Sequence, residues 1–79
     1  MTVAKAIAKA MALFDKDKRG DIRTVSLQEG SGSGKNWTRL LMRIEYAIDG
    51  DYTESDNTPY YVSVSERLGG IVAERVKQF

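Results

Sequence analysis

Residues 27–41 read LQEGSGSGKNWTRLL: three glycines alternate with serines, a lysine follows, and an apolar run begins. Backbone N–H groups of such a loop, with the lysine, could cradle a phosphate. That chemistry needs two glycines five positions apart, then Lys, then a Ser or Thr whose hydroxyl reaches magnesium. Here Glu29 stands at the first glycine position and Asn36 follows Lys35. The Glu29 carboxylate would repel a phosphate, and 79 residues are too few for the parallel sheet such a loop is built on. The stretch therefore reads as a Gly/Ser-rich hairpin connector. Its ends would close at nearly the same cost if it were shortened by two residues. No nucleotide or other cofactor is expected.

A calcium loop offers the second candidate chemistry. LFDKDKRGDI follows a helical pattern and places Asp15, Asp17, Gly20, Asp21 and Ile22 at suitable spacing. Arg19, however, takes a position where an oxygen ligand belongs, and Ser26 stands where a bidentate Glu should close the site. No metal site is expected, and calcium should bind no tighter than about 1 mM. Asp49, Asp51, Glu54 and Asp56 are candidates for paired-carboxylate acid–base work. They lie in a polar stretch with no apolar wall to set one pKa against another. The chain has no cysteine and no histidine. Serine–histidine and cysteine–histidine catalysis are thereby excluded, and a zinc site loses its usual ligands. An enzyme is not expected.

The elements that would position these residues follow from periodicity. Ala4, Ile7, Ala8, Met11 and Phe14 recur at helical spacing, which predicts a helix over residues 2–15 with those side chains inward. Residues 22–28 are rich in Val, Ile, Thr and Ser and predict a strand. Residues 37–49 fit two templates. As a helix capped by Asn36, Trp37, Leu40, Leu41, Ile44, Ala47 and Ile48 share an arc. As a strand, Leu40, Met42, Ile44, Tyr46 and Ile48 take one face, and Arg39, Arg43, Glu45 and Asp49 the other. Residue type in IEYAI and the instability of a two-stranded sheet favour the strand. At about 3.3 Å per residue it would span about 40 Å, so it must twist strongly or project a hairpin end. YYVSVS, 60–65, predicts a third strand. Ser65 could cap a last helix with Leu68, Ile71, Val72, Val76 and Phe79 on one face, Gly69-Gly70 lying near its start. The expected architecture is one α+β domain over residues 1–79: helix, three-stranded antiparallel sheet, helix.

Charge is segregated along the chain. Residues 1–43 carry nine basic and four acidic side chains, residues 44–66 six acidic and no basic ones, and residues 67–79 three basic and one acidic. Two partner classes follow. Glu45, Asp49, Asp51, Tyr52, Glu54, Asp56 and Tyr60 combine carboxylates with tyrosines, which suit a protein interface. Such a segment could dock on a basic, nucleic-acid-binding protein surface. In size and style the chain resembles small inhibitors carried by phages and plasmids, anti-CRISPR proteins among them. The alternative partner is nucleic acid, held by Lys16, Lys18, Arg19, Arg23, Lys35, Arg39 and Arg43, with Trp37 on the same polar face to stack a base. The expected element order is similar to that of double-stranded-RNA-binding domains, although the last helix would begin SERLGG and not with lysines. No apolar run approaches the roughly 20 residues of a membrane span, and the N-terminal pattern is not that of a signal peptide. A cytoplasmic location is the expectation.

Overall fold

A computed structural model of the chain describes residues 1–17, 19–48 and 59–77. Lys18, residues 49–58 and residues 78–79 lie outside them. The order is helix α1 (Val3–Asp17) followed by strands β1 (Asp21–Ser33), β2 (Asn36–Ala47), β3 (Tyr60–Arg67) and β4 (Gly70–Val76). The strands form one antiparallel meander in chain order. The architecture is α+β, one helix on a four-stranded sheet.

The predicted N-terminal helix is present, and Thr2 caps it: its Oγ1 accepts the Lys5 N–H at 3.2 Å. The inward face differs from the expected one. Ala6, Ala10 and Phe14 are buried, and Val3, Ile7 and Leu13 pack beside them. Ala4 and Ala8 are exposed, as is Met11. The segment VAKAIAKAMALF is apolar around most of its circumference, so periodicity alone could not choose the face. The face that meets the sheet combines Ala6, Ala10 and Phe14 with Val3, Ile7 and Leu13, so it covers Val3 and Leu13, which the expected face would have left out.

Residues 36–47 form a strand. Leu40, Met42, Ile44 and Tyr46 are buried on the helix side, while Arg39, Arg43 and Glu45 take the opposite face. Ile48 lies past the strand and is 49% exposed. The long β1–β2 hairpin accounts for the molecule's 38 Å longest dimension, against 21 and 20 Å for the others.

Two expected elements are replaced. The Gly/Ser stretch is not a connector: Gly30–Ser33 continue β1, paired with β2 residues 36–40, and only Gly34-Lys35 turn. A β-carbon on Gly30 would lie 2.6 Å from Leu40 Cδ2 and 2.9 Å from Trp37 Cζ3. Gly30 is therefore the slot into which those side chains fit. Shortening this stretch would remove paired residues, so the expected tolerance does not follow.

The last helix is also replaced, by β4. Leu68 and Gly69 make a two-residue turn, and β4 pairs with β3 from Arg67↔Gly70 to Tyr61↔Val76 without a register shift. Ser65, read as a helix cap, lies within β3. Gly70 has φ +122°, which favours glycine in a hairpin. Ile71, Val72 and Val76 are β-branched, and two adjacent glycines disfavour helix by about 1 kcal/mol each. A short apolar run with Ile71, Val72 and Val76 fits both periods, and pairing with β3 decides. With it goes the element order on which the likeness to double-stranded-RNA-binding domains rested.

The core lies between α1 and strands β2–β4. Phe14 meets Tyr46 at 5.2 Å between ring centroids and Tyr60 at 5.2 Å edge-on. Each such pair contributes about 0.5–1.5 kcal/mol beyond area burial. At the other end the Met1 N–H₃⁺ donates to the Trp37 carbonyl at 2.8 Å and pairs with Glu66 at 2.6 Å, and Trp37 N–H donates back to Met1 O at 3.1 Å. Among the described residues no helix is long and apolar enough to cross a membrane.

Gly32 has φ +123°, and a β-carbon there would collide with the Asn36 carbonyl oxygen. Gly34 has φ +59° with open space around it. Gly32→Ala should therefore destabilise by about 1–3 kcal/mol. Gly34→Ala should cost less, about 1 kcal/mol. Urea unfolding of the two variants checks the order.

Candidate functional site

α1 covers one face of the sheet and leaves the other open. The open face carries Ser26 and Ser31 from β1, Arg39, Leu41, Arg43 and Glu45 from β2, Tyr61, Ser63 and Ser65 from β3, and Val72 and Glu74 from β4, by their register partners. Leu41 at its centre is only 5% exposed. Arg43 pairs with Glu45 at 3.3 Å, both side chains being partly exposed. Such a pair contributes little to stability, roughly 0–1 kcal/mol. Arg39 lies opposite Ser31 and Ser65, and Tyr61 opposite Arg43. The open face is thus polar and mixed in charge.

Trp37 is not on that face. β1 and β2 pair as Ser31↔Arg39 and then Gly32↔Trp37, so Thr38 is an extra residue in β2. This bulge reverses the alternation and turns the indole to the helix side, against the core and Gly30. The expected base-stacking partner of Arg39 and Arg43 is a packing residue. A break in strand periodicity of one residue leaves no mark in composition, and sequence reasoning missed it.

The remaining basic residues are dispersed. Lys16 lies in the last turn of α1, Arg23 at a bulge of β1, and Lys35 at the tip of the β1–β2 hairpin. Arg19 has its guanidinium carbon 5.7 Å from the centroid of the Tyr60 ring, and Arg75 reaches the same ring at 4.8 Å. Lys18 falls outside the described residues.

Of the acidic, tyrosine-rich set, Glu45 is on the open face and Asp49, Asp51, Tyr52, Glu54 and Asp56 lie outside the described residues. Tyr60 is fully buried, so it is not a surface anchor. Its hydroxyl donates to Asp17 Oδ2 at 2.6 Å, tying β3 to the end of α1. Burial chiefly, then the hydrogen bond to and charge of Asp17, push the Tyr60 hydroxyl up to about 12, against the lowering pull of Arg75 and Arg19. Asp17, one of the candidate calcium ligands, is thus engaged with a phenol. Among the described residues no group of three or more carboxylates could hold a metal ion.

The structure also brings together residues that the sequence did not associate. Lys5, Ala8, Lys9 and Ala12 of α1 and Ile71 of β4 line a groove of about 380 Å³ along the outer side of β4. Their helical spacing is legible in the sequence, but the groove needs residues 70–76 as a strand, where the sequence predicts a helix.

No protein family, curated protein or solved structure matches this chain at a significant level.

The raised Tyr60 pKa sets an alkaline limit. The folded state holds this proton more tightly than the unfolded chain, whose tyrosines titrate near 10. The stabilisation is complete below about pH 10 and is lost as pH rises toward 12. Denaturant midpoints should fall steeply over that interval, and Tyr60→Phe should remove part of the slope while lowering stability at pH 7. Absorbance titration should show one tyrosine ionising near 12, above the free phenol's value of about 10. An unchanged slope in Tyr60→Phe would contradict this account.

Proposed function

We propose that the chain is a small non-enzymatic protein-interaction module, an inhibitor-type domain in the style of anti-CRISPR proteins. It docks an acidic segment on a basic, nucleic-acid-binding protein surface. The observation that carries this reading is the contrast in how the two charges are distributed. The described residues carry eleven basic and seven acidic side chains, and the basic ones are spread over the helix, the hairpin tip, the open sheet face and the rim of Tyr60. The chain between β2 and β3 concentrates four carboxylates and no base in residues 49–58. A contiguous acidic segment can match basic groups arrayed for a phosphate backbone, whereas dispersed cations follow no single strand of nucleic acid. Glu45, Asp49, Asp51, Glu54 and Asp56 supply the charge, and Tyr52 an anchor.

The nucleic-acid reading keeps one observation: Arg39, Arg43 and Tyr61 share the open face. Affinity capture from the native host at two salt concentrations, with and without nuclease, supplies the partner for both tests. With a protein partner, Asp51→Lys/Glu54→Lys should slow association at least tenfold, because exposed charges act mainly on encounter. Stability should shift by under about 0.5 kcal/mol. Tyr52→Ala should raise the dissociation rate, and Arg39→Glu/Arg43→Glu should leave binding intact. Loss of binding only in the arginine pair, with capture abolished by nuclease, would replace this function by the nucleic-acid one.

A further inference from the structure

We propose that the outer edge of β4, with the groove between β4 and α1, receives an extended acidic strand of a partner protein. The site is built from other residues than the acidic segment, is opposite to it in charge, and is proposed independently of it.

The two edges of the sheet are unlike. β1 meets β2 with extra residues at Arg23 and Gln28, and β2 with one at Thr38. Bulges of this kind twist an edge away from further pairing. β4 has none: seven residues pair with β3 in continuous register, contain no proline, and end the sheet. Among the described residues no chain pairs with its outer side. At about 3.3 Å per residue it offers about 23 Å of unpaired N–H and C=O groups. Strand addition uses such an edge for affinity and the flanking side chains for specificity.

The flank specifies the occupant. Ile71, Ala73 and Arg75 point from β4 to the helix side, since their β3 partners are Glu66, Val64 and Val62. Above them Ala8 and Ala12 leave the groove open, and Lys5 and Lys9 border it. These lysines stand one helical turn apart, about 5–6 Å. Alternate residues of a strand lie about 6.6 Å apart on one face. Two same-face carboxylates of an added strand therefore match the two ammonium groups, and a third, apolar side chain covers Ala12 and Ile71. On the open side lies Glu74, which favours a neutral neighbour. A second copy is the poorer occupant. On the groove side its β4 edge presents Ile71, Ala73 and Arg75, and so offers no carboxylate to Lys5 and Lys9.

The test uses the full chain and a capped eight-residue peptide, Thr-Glu-Thr-Glu-Thr-Val-Thr-Val, with a control bearing lysine for glutamate. Fluorescence anisotropy should show the glutamate peptide binding at least tenfold more tightly than the lysine peptide, with the difference shrinking in high salt. Amide exchange should slow at alternate residues of 70–76. Lys5→Glu/Lys9→Glu should reverse the preference between the peptides, and Ala8→Trp, which fills the groove, should abolish binding of the glutamate peptide while both variants keep the parent's circular dichroism. Equal binding of the two peptides, or binding without protection in β4, would overturn the proposal. So would β4 protection that appears with rising protein concentration alone, which would make a second copy the occupant.

Discussion

A helix is about 10 Å across, and neighbouring strands of a sheet lie about 4.8 Å apart, so one helix roofs two or three strands and no more. Most of this fold follows from that limit. α1 packs on β2, β3 and β4, with Ala6 and Ala10 buried against them. Phe14 reaches down to Tyr46 and Tyr60 at one end, and Met1 and Trp37 close the other. β1 lies at the margin, with Ile22 and Val25 half-buried and Leu27 46% exposed.

The irregularities of the sheet concentrate where the roof is thin. Extra residues at Arg23, Gln28 and Thr38 all fall in the β1–β2 pair, while β2–β3 and β3–β4 pair in continuous register. Each bulge re-aims the side chains beyond it. The one at Thr38 delivers the indole of Trp37 to the core side, and Gly30 and Gly32 make room for it and for the neighbouring backbone. The glycines serve close packing and a left-handed backbone, where their spacing had suggested flexibility.

Among the described residues no charged side chain is fully buried. The buried Tyr60 hydroxyl is satisfied by Asp17, whereas Trp37 Nε1 and Arg43 Nε are buried without a hydrogen-bond partner among the described residues. Side-chain charges at the periphery act through water on whatever approaches. This agrees with a chain lacking the cysteine and histidine that most nucleophilic and acid–base chemistry uses.

Local sequence was sufficient for the α+β class, the N-terminal helix, the two central strands and the exclusion of the glycine stretch as a phosphate loop. In each case periodicity or a required spacing operates within a few residues. Only the tertiary structure decided the rest, because the deciding partner is distant in sequence. Residues 70–76 fit a helix or a strand until β3 offers its edge. The face of α1 was ambiguous until the sheet buried Ala6 and Ala10. Trp37 changed sides through one unpaired residue, and Tyr60 left the surface set because Phe14 and Asp17, more than forty positions earlier, enclose it. The α1–β4 groove belongs to the same class: it exists only because a helix and a strand at opposite ends of the chain lie side by side.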